Sequence, residues 1–373
     1  MMGARKRSGP QTLSARALNR ALLARQMLLE RASLSPLAAI ERLAGMQAQV
    51  PQAPYCGLWS RLEGFVPEQL SELIESRRAV RIGSMRGTIH LLSATDCRAF
   101  RPLLQPVFDR VLFSNMEARS LRDVPREEFI EAAREAAERS PLTWAELRRH
   151  LAERWPDRDA TALLRAAQLS LPLVQVPPRG LWQRSGAARV TTTRAWLGQP
   201  LDKSPAPEKL LLRYFAAFGP ASVADAQAWS GLTRLSAVVD KLRPKLVSFV
   251  SEDGRELFDL PEAPRPDEDV AAPVRFLPEF DNVTLAHADR GRIINSRPRN
   301  PPPENAVLRT FLVEGFVAGY WKIVRDRCRA TLQLEPFKPL ARQAEATLGA
   351  EGEQLLAFAA PELDHDVRIV VDC

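Results

Sequence analysis

No stretch of this 373-residue chain approaches the ~18 consecutive apolar residues that a helical membrane span needs; even the least charged run, residues 43–60, is cut by Gln and Pro. Only four cysteines occur (Cys56, Cys97, Cys328, Cys373), none in a CxxC pair, which excludes a disulfide framework and a cysteine zinc site. They read as reduced, cytosolic packing residues. The four histidines (His90, His150, His287, His365) make no HxH or HxxxH spacing, so no metal ion and no other cofactor is expected. A phosphate loop and a dinucleotide fingerprint are both missing, which argues against an ATPase or a redox enzyme. Lysine is scarce, and none of the seven lies near residue 47 in sequence, so Schiff-base lyase chemistry is not indicated. Arg16, Arg20 and Arg25 stand where a secretion signal would need an apolar core. The expected location is the cytoplasm, associated with the nucleoid.

What is present is ordinary for a globular protein: 45% hydrophobic and 26% charged residues. At about 150 residues per domain the length suggests two or three units. The net charge of +7 favours a polyanionic partner such as nucleic acid. Arginine far outnumbers lysine, however, and a coding bias toward Arg gives the same surplus as plain surface.

The pattern of elements sharpens this. Residues 1–11 read as a basic disordered arm. Helices follow from Thr12, from Ser35-Pro36 (N-cap and first helical position) until Pro51 and Pro54 stop the chain, and from Pro67; residues 79–93 then read as two short strands. Similar orders recur twice. In the second, helices after Leu142-Thr143 and Asp159 precede strands at 173–176 and 180–183 around the basic tip Pro177-Pro178-Arg179. In the third, helices from Pro207, Ser222 and Thr233 precede a hairpin closed by Asp253-Gly254, a strong turn signal. Helix, helix, turn, helix, ribbon is the order of a winged helix-turn-helix, whose recognition helix enters a DNA groove. The same modules also dock proteins.

The expected class is therefore α+β: three tandem winged helix-turn-helix units (12–125, 126–200 and 201–262) followed by a β-rich C-terminal domain (263–373). In the last, strands are expected at 274–277, 283–286, 307–313, 316–323 and 330–334, with a tight turn at Glu314-Gly315 and a final helix at 339–348.

The unusual segment is Gly45-Met46-Gln47-Ala48-Gln49-Val50-Pro51. On a helix Gln47 and Gln49 point about 200° apart, whereas in extended chain they share a side. Pro51 biases Val50 out of the helical region, so a helix here frays and the two amides converge at its end. The competing reading is that they cap loose backbone groups or face solvent.

Residues 39–62 (AIERLAGMQAQVPQAPYCGLWSRL), Arg86-Gly87-Thr88-Ile89-His90-Leu91, residues 277–293 (LPEFDNVTLAHADRGRI) and residues 314–321 (EGFVAGYW) resemble, in order, the AlkZ/YcaQ family of winged-helix DNA glycosylases. The resemblance implies a monomeric clamp of three winged helices and a β-domain on double-stranded DNA. It also implies release of N7-alkylated purines and, in some members, unhooking of interstrand crosslinks. The family's catalytic motif, Gln then a hydrophobic or small residue then Gln or Asp, falls on Gln47-Ala48-Gln49, making Gln47 and Gln49 the catalytic candidates; Gln in the second position matches the AlkZ branch. A neutral amide is no general base near pH 7, but it holds a water by accepting through its carbonyl and donating through its NH₂. That suffices when the leaving base already carries positive charge. Because a crosslinked base cannot swing out, the site is expected to be open, with a hairpin through 283–293 probing the groove.

The DNA-binding candidates are Arg86, Arg179, Arg184, Arg234, Lys241, His287 and Arg290. For the exposed cations the alternative is solvent; for His287 it is burial, and His90 reads as a satisfied core histidine. Two other functions compete: a non-enzymatic winged-helix transcription regulator, which gives sequence-specific footprints, and a protein-docking scaffold, which binds no duplex.

Overall fold

The computed structural model describes residues 11–114, 125–296, 298 and 307–370. The basic arm expected at 1–11 thus lies, apart from Gln11, outside the described residues. The class is mixed α+β with several sheets, as expected. Backbone proximity divides the chain into two compact units. One comprises Ser33–Leu210 and Gln227–Thr233, and carries the glutamine motif. The other comprises residues up to Ala32, Leu211–Ala226 and everything from Arg234 onward. Residues 12–32 therefore group with the C-terminal part and not with the stretch that follows them. No helix among the described residues is long and apolar enough to cross a membrane.

The motif unit is built on one six-stranded sheet, ordered Met46–Gln47, Ile89–Ser93, Ala79–Gly83, Leu173–Val176, Arg189–Thr192, Leu142–Thr143. Every neighbouring pair is antiparallel. The two ribbons expected as separate wings are thus joined edge to edge, Arg81 opposite Gln175 and Ile82 opposite Val174. Helices Pro67–Glu75, Ala94–Phe100, Gln105–Ser114, Arg126–Arg139, Trp144–Arg154 and Ala160–Ser170 supply the apolar cover. Leu73, Ile82, Leu91, Phe108, Phe129, Leu151 and Val174 are all buried.

The second ribbon differs from expectation. Residues 180–183 are not its return strand; Arg189–Thr192 is. The reason is that side chains have taken the main-chain groups a ladder would need. Tyr55 Oη donates to the Gly180 carbonyl, Gln52 Nε2 to the Leu181 carbonyl, and the Trp182 and Gln183 amides donate to Ser71 Oγ and Gln52 Oε1.

In the other unit, Thr12–Leu13 pairs in parallel with Val250–Ser251 beside the expected Asp253-Gly254 hairpin. A five-stranded sheet follows: Arg275–Leu277, Arg309–Val313, Phe316–Arg325, Arg329–Pro336 and Asp364–Ile369. Glu314 and Gly315 both have positive φ in its tight turn. The closing helix is longer than expected, Arg342–Ala359, and it returns the chain to the last strand, Asp364–Ile369, which pairs in parallel with Arg329–Pro336 and which the sequence pattern did not announce.

Residues 283–286 form no strand, and no hairpin runs through 283–293. Asp281 caps a single 3₁₀ turn by accepting from the Val283 amide at 3.1 Å, and Tyr214 Oη donates to the Ala286 carbonyl at 2.9 Å. With those groups taken, the segment runs as linked turns.

This unit is tied internally by a buried bidentate pair. Arg25 Nη1 and Nη2 each lie 2.7 Å from an Asp259 carboxylate oxygen, Arg25 also donates to the Phe215 carbonyl, and Asp259 has no exposure. Removing one partner strands a buried charge, which costs about 3–5 kcal/mol. Asp259→Ala is expected to lower the unfolding free energy from urea titration by that amount, and an unchanged value would show the pair to be inconsequential.

Candidate active site

The helix Pro36–Arg42 starts as its sequence dictates, Ser35 Oγ accepting from the Ala38 amide. It ends well before Pro51. Ala44 (φ 54°) and Gly45 (φ 91°) turn the chain left-handed, and the amides of Gly45 and Ala44 donate back to the carbonyls of Ile40 and Glu41, closing a Schellman cap. Gly45 is required here: a Cβ would lie 2.4 Å from Leu92 Cδ2. The chain therefore leaves extended, Met46 opposite Leu91 and Gln47 opposite His90, and the motif is strand and not frayed helix. In extended chain the two glutamines share a side.

Each motif residue is held from a different direction. The Ala48 amide donates to the Ile89 carbonyl at 2.8 Å. Beyond this bond the strand peels away, and the Ile89 amide is met at 3.1 Å by Gln49 Oε1, so that this amide substitutes for main chain at the ladder's end. Arg81 Nη2 donates to the Ala48 carbonyl at 2.8 Å from within the core. Arg86 Nη2 donates to Gln47 Oε1, and its Nη1 to the Trp229 carbonyl, both at 2.6 Å. Arg86 sits at φ 56° in the strand-connecting turn with Gly87, and Gly231 packs on its backbone. Gln47 is 7% exposed, whereas Gln49 is exposed.

The electrostatics are cationic. Among the described residues no carboxylate pairs with Arg81, whose Nε and Nη1 lack any hydrogen-bond partner; burial lowers its pKa to about 10, so it stays charged. His90 is buried with Nδ1 facing the Thr88 carbonyl, and burial followed by the Arg86 charge pushes it down to about 3. It is a neutral core residue, as the sequence suggested. Beside the motif lies a pocket of about 280 Å³, lined by Gln49, Gly87 and Ile89 together with Arg101, Phe108, Trp144, Arg165 and Gln175.

The motif unit brings together Gln47, Gln49 and Arg86. Arg179 and Arg184 lie on its 177–188 loop, Arg179 half-buried and donating to the Gly186 carbonyl, Arg184 exposed. Arg234, Lys241 and Arg290 belong to the other unit and are exposed. His287, offered as a DNA contact, is corrected: it is 3% exposed, its Nε2 faces the Phe218 carbonyl at 3.0 Å, and desolvation lowers its pKa. Sequence reasoning missed Arg81, Gln52 and Trp229. A buried arginine in a strand has no pattern to betray it, and the Trp229 contact spans 143 residues.

The profile of the AlkZ-like DNA glycosylases matches residues 40–358, a span that includes the glutamine motif, the Arg86 turn and the pocket wall. The chain belongs to the AlkZ-like DNA glycosylase family. Its fold is similar to that of the Streptomyces sahachiroi DNA glycosylase AlkZ, with a TM-score of 0.75 at 21% identity over 96% of this chain and 100% of that one. No curated protein sequence matches it. Membership makes DNA the partner of this AlkZ-like protein and base release its class of activity.

His90 gives the AlkZ-like chain an acid-sensitive core. Its folded pKa lies below the ordinary value near 6.5, so the unfolded chain takes up a proton that the native state refuses. Stability is complete above pH ~6.5 and falls as the pH drops toward 3, by about 1.4 kcal/mol per pH unit for this group. In urea titrations from pH 7 to 4, His90→Gln is expected to flatten the slope by about one proton; an unaltered slope would mean that His90 titrates normally.

Proposed function

We propose that this AlkZ-like protein hydrolyses the N-glycosidic bond of cationic N7-alkylated purines in duplex DNA, including those tied into interstrand crosslinks, with a water placed by Gln47 and Gln49. On this reading three winged-helix units present the site as a monomer without cofactor, and the exposed arginines and Lys241 serve backbone phosphates.

The observation that carries the reading is the bracing of both amides. Gln47 Oε1 is fixed by Arg86 and Gln49 Oε1 by the Ile89 amide, which settles which end of each side chain is oxygen and which is NH₂. Each carbonyl has a second lone pair for a water O–H, and among the described residues no partner is seen for either NH₂. This is orientation and electrostatic stabilisation, not proton abstraction. In the reaction the C1′–N9 bond breaks, its electron pair neutralises the purinium, the water oxygen bonds C1′, and its proton leaves to solvent. No general acid is needed, because the base departs neutral.

Replacing both glutamines with Ala is expected to cut 7-methylguanine release at least ~100-fold, in line with loss of positioning groups, while duplex affinity changes less than about threefold. Full activity in the double variant would refute the role. Arg81 acts through Ala48 and is a positioning residue. Arg81→Met keeps volume but removes the donor; it should lower kcat about tenfold with KM unchanged, and leave thermal stability equal or higher, since a buried unpaired charge has gone. A KM effect with kcat intact would show that Arg81 serves DNA binding instead.

A further inference from the structure

The pocket beside Gln49 was not expected of an open site. Its volume of about 280 Å³ lies just under the ~300 Å³ at which small-molecule sites begin, the size class of a single nucleobase and not of a larger ligand. Its lining combines flat apolar surfaces with unused polarity. Phe108 and Trp144 are its aromatic lining residues. Arg101, 2% exposed, stacks its guanidinium 4.1 Å over Phe108 and leaves Nε without a hydrogen-bond partner; the Gln175 side-chain oxygen also lacks one. A buried polar atom left unmatched is costly, and both of these belong to residues that line the pocket. Gln175 is half-buried, and its last torsion is broadly two-fold, so rotation turns either end of the amide to the pocket.

The charge is one-sided as well. Arg101 and Arg165 both line the pocket, and no Asp or Glu does. Two guanidiniums disfavour a cationic ring and tolerate a neutral one.

We propose that this pocket is a guanine-ring site: it receives the extruded lesion base of a monoadduct and holds the neutral N7-alkylguanine after cleavage. The inference rests on the glycosylase reading above and deepens it. Guanine fits the polarity, since its N1–H and N2–H₂ edge meets the Gln175 oxygen while O6 accepts from guanidinium. The charge argument gives the direction of catalysis. The ring enters as a cation among cations and becomes neutral as the C1′–N9 bond breaks, so the pocket binds the departing base better than the substrate base, which is the differential that accelerates a reaction. Extrusion costs a few kcal/mol in unstacking, and apolar contact with the aromatic lining offsets part of it.

The test uses the free base as probe. The full chain is titrated with 7-methylguanine by calorimetry and by Trp fluorescence, alongside 7-methylguanine release from methylated duplex. Binding at ~1 mM or tighter is expected, weakened about tenfold in Gln175→Met, which keeps volume and removes the acceptor. Arg165→Gln, at an exposed position tolerant of change, should weaken it at least about threefold. Equal affinity across all three proteins overturns the site, as does an active enzyme that binds no 7-methylguanine. An inactive protein that binds the base in a Gln175-dependent way supports the pocket and sinks the glycosylase reading, so the two fail separately.

Discussion

A buried guanidinium donating to the one carbonyl between two glutamines organises the motif unit. Arg81 projects from a central strand to the Ala48 oxygen with no carboxylate to balance it among the described residues. Such a charge is a poor route to stability, since well-packed apolar groups of similar volume often do as well or better. What it provides is direction. The edge strand Met46–Gln47 has only two residues on its ladder, too few for backbone hydrogen bonds alone to fix the chain that follows. Arg81 from below and Arg86 from the side hold that chain where Gln49 reaches the last open amide of the neighbouring strand.

The same logic governs the loop at 177–188. Gln52 and Tyr55, one turn beyond the motif, take the main-chain groups of residues 180–183 and keep them out of the sheet. Tyr55 also packs its ring at a tilt against Trp182 with centroids 5.0 Å apart, and burial raises its hydroxyl pKa to about 12, so it remains a donor. A loop carrying Arg179 and Arg184 is thereby anchored to the segment that carries the glutamines. Phosphate contacts place a protein on a duplex without reading sequence, and on the proposed reading this anchoring would fix the offset between such contacts and the reacting water.

Much of this was legible in the residues. Ser35-Pro36 announces a helix start, Asp253-Gly254 and Glu314-Gly315 announce turns, and Gln-Ala-Gln before Pro51 announces an interruption; these signals are local and depend on conformational preferences of one or two residues. The errors fell where distant side chains overrode local preference. Ala44 adopts a left-handed conformation that its type rarely takes, so the helix ends two turns before the prolines that seemed to stop it. Asp281 converts a β-branched run into a 3₁₀ turn, and the hydroxyl of a tyrosine 72 residues away donates to its last carbonyl. His287 looked like a groove contact because it falls in the 283–293 segment expected as a groove-probing hairpin, but Phe218 claims it for the interior. Neither Arg81 nor Trp229 has a sequence signature, because burial of a strand arginine and capture of a carbonyl are properties of the assembled sheet.

If the substrate base is cationic, as proposed, the abundance of guanidinium around the site follows from where the charge goes. Before cleavage the positive charge sits on the purine; in an oxocarbenium-like transition state it has moved to the sugar, next to the phosphates of its own strand. Arginines that crowd the base raise the energy of the starting arrangement more than that of the transition state, provided the sugar keeps its anionic neighbours. The phosphate backbone supplies those anions from the substrate itself, so the protein needs no carboxylate to receive the migrating charge. On the proposed reading, that is how neutral amides would suffice where other glycoside hydrolyses use paired carboxylates. On that reading a carboxylate in place of Gln49 would attract the substrate cation and the transition state alike, whereas an amide would position water without deepening the ground state.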